Sequence, residues 1–361
     1  MHLQNADQCL ARAFRSVWNP AGIRFYNESG ITGPNQASDI TPIVVGDRMS
    51  HSHRALKLIL GIGFLLLLPV TGWPAPYVSA ADSAPLPTGT YTLRLPVVQR
   101  NYRNTASLLP KFAVEPMLAD KTQWNMFSIQ ADEAWKKGYG SSNRVVVAVV
   151  DTGVDLKHPD LIENLVAGYD FVAGDAVPQD ESAIGHGTHV AGIIAAEIDG
   201  KGVLGVAPFA SIMPVRVLDK DGIGTAKTVG DGIRWAAENG AQIINLSLGY
   251  RLTSNFKDDY LRQQIEFALS KGCLVVAAVG NQHSTIPSYP AAYAGVLAVS
   301  AVDRNGSITS FSNYGDYALM LAAPGVGITS TYPGGRYQAA DGTSQAAAHV
   351  SGAAAVIKDA H

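Results

Sequence analysis

The feature of this chain that most constrains its fold is a regular alternation of short apolar runs with helix-like segments after residue 143. Each run is continuous, which is typical of a strand buried on both faces of a parallel sheet. Gly240 and Gly272 follow two helical patterns, at the point where a helix commonly ends. The alternation predicts a three-layer α/β fold, a mostly parallel central sheet with helices on both faces and right-handed crossovers. The predicted strands are 145–150, 212–218, 243–248, 274–279 and 296–302, and the predicted helices are 186–196, 225–239 and 258–271.

Composition excludes several classes of protein. The chain has 361 residues, of which 47% are hydrophobic and 16% are charged, enough for one large domain with appendages. A formal net charge of -3 argues against a nucleic-acid or anionic-membrane partner. Cys9 and Cys273 are the only cysteines, which excludes a disulfide framework. Cys273 opens an apolar run, so we expect it to be a small buried side chain.

The first third of the chain contains a pattern typical of a secretory signal at 49–80. A basic stretch precedes the apolar run 58–70, and small residues end at Ala80, where cleavage is expected. The run is shorter than the ~20 residues that span a bilayer, although a membrane anchor remains the alternative. Because a signal should be terminal, we interpret Met49 as the true start and residues 1–48 as a mis-called extension with no packed element. Residues 81–114 are interpreted as a linker or short pro-segment, with one strand at 91–98.

Polar side chains stand at the carboxyl ends of predicted strands, where ligands bind in such sheets. Asp151 and Asn281 follow strand ends, and Ser344 begins an Ala-rich segment that predicts a helix through Lys358. Taken singly these residues are ambiguous, because such an Asp could hold a metal or a ribose and such a Ser could be an N-cap. His186 opens another helical pattern. With His189 it resembles half of a zinc site, but no third ligand follows at a useful spacing, so we interpret His189 and His349 as structural.

Asp151, His186 and Ser344 occur in the chain order of the Asp, His and Ser of subtilisin. The chain also contains the motifs NLSLG, VAAVGN, AAPG and STYPGGRY. From Glu115 to its end it resembles the subtilisin-like serine proteases, and among them it is most similar to the thermitase-like branch. The resemblance implies a subtilisin-like peptidase domain at 115–361. It also implies a serine endopeptidase that acts on protein or peptide substrates. With the signal-like pattern at 49–80, we expect a secreted, extracellular monomer without permanent membrane association.

The resemblance assigns a role to each site residue. Ser344 would be the nucleophile, His186 its general base and Asp151 the group that orients the imidazole. The Ser344 amide and the Asn281 side chain would stabilise the oxyanion. Extended substrates would pair with two glycine-containing segments, and because main-chain pairing ignores side chains, broad specificity is expected. The substrate-binding residues would be Gly222, Ile223, Gly224, Ser247, Leu248, Gly249, Ala278 and Gly280.

Calcium is the structural cofactor that the resemblance implies, with no catalytic cofactor. Hard oxygen ligands in a flexible loop suit calcium. The first site would use Glu115, Asp160 and Asp199 with the carbonyls of Glu197, Lys201 and Val203. A second site would use Asp170, Asp175 and Gln179, but Ala173 stands where relatives carry a carboxylate.

The sequence also departs from this family. Gln345 and Ala348 replace the usual Met and Pro after the nucleophile, and neither change abolishes the chemistry. The chain stops at His361, so we interpret the domain as truncated at its C-terminus. We then expect the apolar face around Ala353, Val356 and Ile357 to be exposed. Alternative functions are a non-catalytic peptide-binding relative of the fold and a membrane-anchored protease.

Overall fold

The computed structural model describes residues 43–44, 115–137, 144–251 and 259–360. The predicted signal at 49–80 and the predicted strand at 91–98 lie outside these residues. Residues 1–48 were expected to contain no packed element, yet a two-residue strand is described there, β1 (Ile43–Val44).

The main sheet contains seven of the described strands, and every neighbouring pair in it runs parallel. The strands are β2 (Val146–Asp151), β3 (Tyr169–Asp170), β4 (Ser211–Arg216), β6 (Ile243–Leu246), β7 (Leu274–Ala278), β8 (Leu297–Val302) and β9 (Met320–Pro324). Their spatial order is β3-β4-β2-β6-β7-β8-β9. The five strands predicted from apolar runs are confirmed as β2, β4, β6, β7 and β8.

Two smaller pairings lie outside the main sheet. β5 (Ile223–Gly224) pairs antiparallel with β1. β10 (Ile328–Tyr332) and β11 (Arg336–Ala340) form an antiparallel hairpin.

Side chains of the sheet alternate between two apolar cores. On β2, Val147 and Val149 belong to one core cluster, whereas Ala148 and Val150 belong to the other. Helices cover both faces, so the predicted three-layer α/β arrangement is confirmed. The helices of the first face are α1 (Pro116–Ala119), α2 (Trp124–Ser128), α3 (Ala131–Lys136), α4 (His186–Ala195) and α7 (Thr343–Asp359), and those of the second are α5 (Ala226–Glu238) and α6 (Asp259–Ser270).

Helix α7 is buried along most of its length, because alanines and glycines let other elements approach it closely. A Cβ placed on Gly352 would lie 2.7 Å from the Val206 side chain. The expected exposure of its distal face was wrong: Ala353 and Val356 are 1% and 2% exposed, within the core cluster that contains Trp135. Ile357 is partly buried. The short helices α1 to α3, which the sequence analysis did not predict, belong to the same core.

Candidate active site

Asp151 ends strand β2, and its carboxylate lies at the carboxyl edge of the sheet. The Asp151 Oδ1 atom accepts hydrogen bonds from His186 Nδ1 and from the Thr152 amide, each at 2.7 Å. Both side chains of the Asp151–His186 pair are fully buried. Because a carboxylate only accepts, His186 Nδ1 carries the proton and the neutral ring presents its basic lone pair at Nε2.

His186 is the first residue of α4, and a glycine lets this helix start close to the end of β2. A Cβ on Gly187 would lie 2.1 Å from the Gly153 carbonyl oxygen and 3.1 Å from the Asp151 side chain. The Gly187 amide donates instead to the Thr152 hydroxyl at 2.9 Å. The close approach explains why a Gly follows His186 in the sequence motif.

A buried carboxylate that the sequence analysis missed supports this junction. Asp180, 5% exposed, accepts hydrogen bonds from the Thr152 hydroxyl at 3.1 Å and from the Ser182 amide at 3.1 Å. It also accepts from Thr188, through the amide at 3.1 Å and the hydroxyl at 2.6 Å. Burial raises the pKa of Asp180 to about 6. Asp180 therefore ties the residue after Asp151 to the helix that carries His186.

Ser344 is the second residue of α7, and α7 packs against α4 and against the ends of β6 to β8. The Ser344 hydroxyl donates to the Ser247 carbonyl oxygen at 3.0 Å, and the Ser247 hydroxyl donates to the Ser344 carbonyl oxygen at 3.0 Å. The predicted nucleophile and a predicted substrate-binding residue are thus in direct contact.

Asn281 lies just beyond the carboxyl end of β7, beside the start of α7. Its Oδ1 atom accepts hydrogen bonds from the amide and from the hydroxyl of Thr343, each at 2.9 Å. The Thr343 hydroxyl also accepts from the Gly280 amide at 3.1 Å. The sequence analysis did not predict a role for Thr343, although its position directly before Ser344 was a signal that could have identified it.

The predicted substrate segments lie at the same edge of the sheet. Leu246 pairs with Ala277 in the register of β6 and β7, which brings 247–249 beside 278–280. A Cβ on Gly249 would be 3.1 Å from the Tyr289 carbonyl oxygen. The other segment contains β5, whose partner strand is β1: Ile43 pairs with Gly224 and Val44 with Ile223. In the structure this segment pairs with an extended strand of the chain itself, and its pairing with a substrate stays a prediction.

Two carboxylates of the first predicted calcium site accept hydrogen bonds from the loop 199–203. Glu115 Oε1 accepts from the Gly200 amide at 2.8 Å, and Asp160 Oδ2 accepts from the Val203 amide at 3.0 Å. The second oxygen of each carboxylate, Glu115 Oε2 and Asp160 Oδ1, is buried without a hydrogen-bond partner. Burial raises the pKa of Asp160 to about 7 and also raises the pKa of Glu115. Two buried oxygens that lack partners fit the needs of a hard cation.

Other predicted ligands of this site are placed differently. Asp199 Oδ2 lies 2.5 Å from Lys201 Nζ, in an ion pair at the surface. Glu197 Oε1 accepts from the Glu163 amide at 2.7 Å. Among the residues that the structure describes, no three or more His, Cys, Asp and Glu are grouped so that they could hold a metal ion. Calcium at this position would therefore depend on carbonyl oxygens as well as on carboxylates.

At the second predicted calcium site, the buried Arg216 side chain already supplies a positive charge to the carboxylate of Asp170. Asp170 Oδ2 lies 3.1 Å from Arg216 Nη1, and the Arg216 side chain is 6% exposed. Gln179 Oε1 accepts from the Leu156 amide at 3.2 Å, and Asp175 Oδ1 accepts from the Val177 amide at 2.8 Å. The ion pair weighs against a second calcium ion, which stays a prediction without support from these contacts.

His189 and His349, which were predicted to be structural, are buried and have hydrogen bonds to backbone carbonyl oxygens. His189 Nε2 lies 3.0 Å from the Gln338 carbonyl oxygen. His349 Nδ1 donates to the Gln345 carbonyl oxygen at 2.7 Å, and its Nε2 accepts from Asn125 Nδ2 at 2.7 Å. Burial lowers the pKa of each histidine to about 4. Cys273 is buried as expected, and its thiol donates to the Ala241 carbonyl oxygen.

Comparison with known proteins identifies the family. The subtilase family model matches residues 142–361. Thermitase from Thermoactinomyces vulgaris is 45% identical over 236 residues, which are 65% of this chain and 81% of thermitase. Subtilisin BL from Lederbergia lenta is 46% identical over 240 residues, 66% of this chain and 85% of that protein. An alkaline protease from Shouchella clausii is 46% identical over 241 residues, 67% of this chain and 60% of that protein.

These matches confirm the resemblance to subtilisins and to the thermitase-like branch. They cover the part of the chain that carries Asp151, His186 and Ser344 on one edge of the parallel sheet. The chain belongs to the subtilase family and is a serine-type endopeptidase.

Proposed function

We propose that this endopeptidase cleaves peptide bonds through an acyl-enzyme on Ser344, with His186 as general base and Asp151 as the group that orients and stabilises the imidazole. The observation that carries the proposal is the 2.7 Å hydrogen bond from His186 Nδ1 to Asp151, between two fully buried side chains. In such surroundings the Asp151 charge favours the imidazolium that forms during the reaction.

The first half of the reaction acylates the enzyme. The Ser344 hydroxyl leaves the Ser247 carbonyl by rotation about its Cα–Cβ bond and attacks the substrate carbonyl carbon, while its proton passes to His186 Nε2. The new C–O bond produces a tetrahedral oxyanion, for which the Asn281 side-chain amide is the donor. Collapse breaks the C–N bond, and the leaving amine takes the proton from His186.

Water completes the cycle. It gives a proton to His186 Nε2 as its oxygen attacks the acyl carbon, and the proton returns to Ser344 as the C–O bond of the ester breaks. The products are a peptide carboxylic acid and the regenerated enzyme, so no redox or metal step is needed.

The substrates that we propose are extended peptides of varied sequence. The support is that β5 pairs antiparallel with the extended strand β1 of the same chain, which shows the kind of main-chain pairing that a substrate in the place of β1 would make. Ser247 to Gly249 and Ala278 to Gly280 would form the first side-chain pocket.

We also propose that the enzyme is secreted, calcium-stabilised and monomeric. Secretion is supported by the signal-like pattern at 49–80. Within the described ranges, no helix is both long and apolar enough to cross a membrane. Calcium binding is supported by the two buried carboxylate oxygens without partners, Glu115 Oε2 and Asp160 Oδ1.

Hydrolysis of a mixed peptide library tests the mechanism. His186→Gln removes the base, so we expect turnover to fall by at least three orders of magnitude. His189→Gln is the matched control, because His189 lies on the same helix, one turn further along, and has structural contacts. We expect this control, once folded, to keep turnover within a few fold. Equal turnover in wild type and His186→Gln would contradict the mechanism, and a folded wild type that binds peptides without cleaving them would favour the peptide-binding alternative.

A further inference from the structure

Asn313 is a fully buried polar residue in the connection between β8 and β9, and the catalytic residues proposed above do not include it. A buried amide has to place two donor hydrogens and one acceptor oxygen on partners. Most of the hydrogen bonds of the Asn313 side chain are made to the segment 279–284, which has Asn281 near its centre.

The contacts of Asn313 surround Asn281 on both sides in sequence. Asn313 Nδ2 donates to the Val279 carbonyl oxygen at 2.7 Å and to Gln282 Oε1 at 2.9 Å. Asn313 Oδ1 accepts from the Gln282 amide at 3.0 Å and from the Ser284 amide at 3.1 Å. The Asn313 backbone amide donates to the Gly280 carbonyl oxygen at 2.8 Å.

The segment 279–284 has no helix or strand of its own to satisfy these peptide groups. Gly280 takes a φ of 99°, a conformation that favours glycine. A Cβ on Gly280 would lie 2.7 Å from Asn313 Nδ2, so the segment wraps tightly around the amide. The Asn313 side chain, which comes from a different loop, supplies four hydrogen bonds to this segment. The Thr343 hydroxyl and the Phe311 carbonyl oxygen accept from the amides of Gly280 and His283.

We infer that Asn313 is a positioning residue for the oxyanion donor: it fixes the backbone on both sides of Asn281 so that the Asn281 side chain faces the reacting carbonyl. Thr343 holds the oxygen of the same Asn281 side chain. The backbone and the side chain of Asn281 are thus held by two separate partners. The inference rests on the proposed oxyanion role of Asn281.

The chemistry of the contacts explains why an amide is needed. Aspartate could accept from the amides of Gln282 and Ser284, but it has no proton for the Val279 carbonyl. Alanine would leave all of these groups without a partner, and a buried group without one is costly. Both substitutions should therefore displace the Asn281 side chain. A small displacement of an oxyanion donor lowers the rate of peptide hydrolysis without removing the nucleophile.

A double-mutant cycle on the secreted enzyme tests the inference. The four proteins are wild type, Asn313→Ala, Asn281→Ala and the double variant, with kcat and KM measured on one peptide substrate and normalised to folded protein. We expect Asn313→Ala to lower kcat about tenfold in the wild-type background. In the Asn281→Ala background, where the positioned donor is already absent, we expect less than a twofold effect.

Asn164 supplies the matched control, because it is also a buried amide that bonds to main-chain carbonyls. Its Nδ2 donates to Ala195 and Pro208 at 3.0 Å and 2.8 Å, away from the oxyanion segment. Asn164→Ala should lower thermal stability while kcat per folded molecule stays within twofold. If Asn313→Ala does not fold, Asn313→Asp, which has nearly the same shape, takes its place in the cycle.

Three results would overturn the inference. The first is an equal loss from the Asn313 substitution in both backgrounds, which indicates a structural role alone. The second is an unchanged kcat in the Asn313 variant. The third is an Asn281→Ala single variant with wild-type turnover, which removes the donor that Asn313 is inferred to position. The third result separates failure of the Asn281 role from failure of Asn313 to position it.

Discussion

The side-chain oxygen of Asn281 is held by Thr343, which donates to it from its amide and from its hydroxyl at 2.9 Å each. Because the oxygen is tied in this way, rotation of the Asn281 amide about its terminal bond is restricted and its Nδ2 donor points away from Thr343. The residue directly before the nucleophile therefore sets the direction of the proposed oxyanion donor.

Replacing the Thr343 hydroxyl tests this relationship. Thr343→Val keeps the shape of the side chain but loses its hydrogen bonds to Asn281 and Gly280. We expect kcat to fall about tenfold, since a neutral hydrogen bond is worth about 1 kcal/mol and 1.36 kcal/mol corresponds to a factor of ten in rate. Thr343→Ser restores the hydroxyl and should keep kcat within about threefold of wild type. Equal rates for the two variants would rule out a role for the hydroxyl.

Asp180 should be important for stability because four hydrogen bonds converge on its buried carboxylate. Asp180→Ala leaves the amides of Ser182 and Thr188 without an acceptor, so we expect the free energy of unfolding to fall by about 2 to 4 kcal/mol. Chemical denaturation measures this loss. Asp303→Ala is the control, because Asp303 accepts only main-chain amides in an exposed turn. Similar losses in the two variants would contradict the special position of Asp180.

Calcium removal should destabilise the wild-type domain. A chelator is expected to lower Tm by about 5 to 10 °C relative to calcium at 100 times its Kd, since such binding contributes about 2.7 kcal/mol. Asp160→Asn should abolish this difference. Because the pKa of Asp160 without metal is about 7, protons compete with calcium below that pH, and the Tm difference should be larger at pH 8 than at pH 6. A Tm that is independent of calcium at both pH values would contradict the site.

We expect His349 to lower the stability of the folded protein at acid pH. Its folded-state pKa, about 4, lies below its ordinary value of 6.5, so the unfolded chain binds the proton first as the pH falls. The contribution of the neutral His349 side chain to the free energy of unfolding is therefore complete above pH 6.5. As the pH falls from 6.5 to 4, the free energy of unfolding decreases by on the order of 3 kcal/mol.

The measurement is the free energy of unfolding across this pH range. His349→Gln cannot take up a proton there, so its curve should be flatter between pH 6.5 and 4 than that of wild type. Curves of the same slope would show that His349 does not cause the acid sensitivity.

The sequence predicted the elements that have strong local patterns. β2 is a continuous apolar run and α4 begins at the HGTH motif, so both were found with nearly the observed bounds. The helices α1 to α3 were missed because each has only four to six residues, too few for a periodic pattern. They depend on tertiary contacts, such as the hydrogen bond from Trp135 Nε1 to the Val206 carbonyl.

The residues of the candidate site also fall into two groups, those that local sequence patterns predicted and those that only the folded chain brings together. Asp151, His186 and Ser344 were predicted because their order and flanking glycines are characteristic of one family. Asp180 and Asn313 were missed because their bonds join loops that meet only in the folded chain. The exposure expected for Ala353 and Val356 was wrong for a related reason: the N-terminal helices and α7 contribute to one core.

The central claim is that the environment of Ser344 activates this serine for attack. Labelling of the folded enzyme by a fluorophosphonate probe, followed by peptide mapping, tests it most directly, with Ser344→Ala and His186→Gln as comparisons and circular dichroism to confirm folding. We predict one labelled residue, Ser344, and loss of labelling in both variants. A folded wild-type enzyme that does not label, or that labels at another residue, would contradict the account.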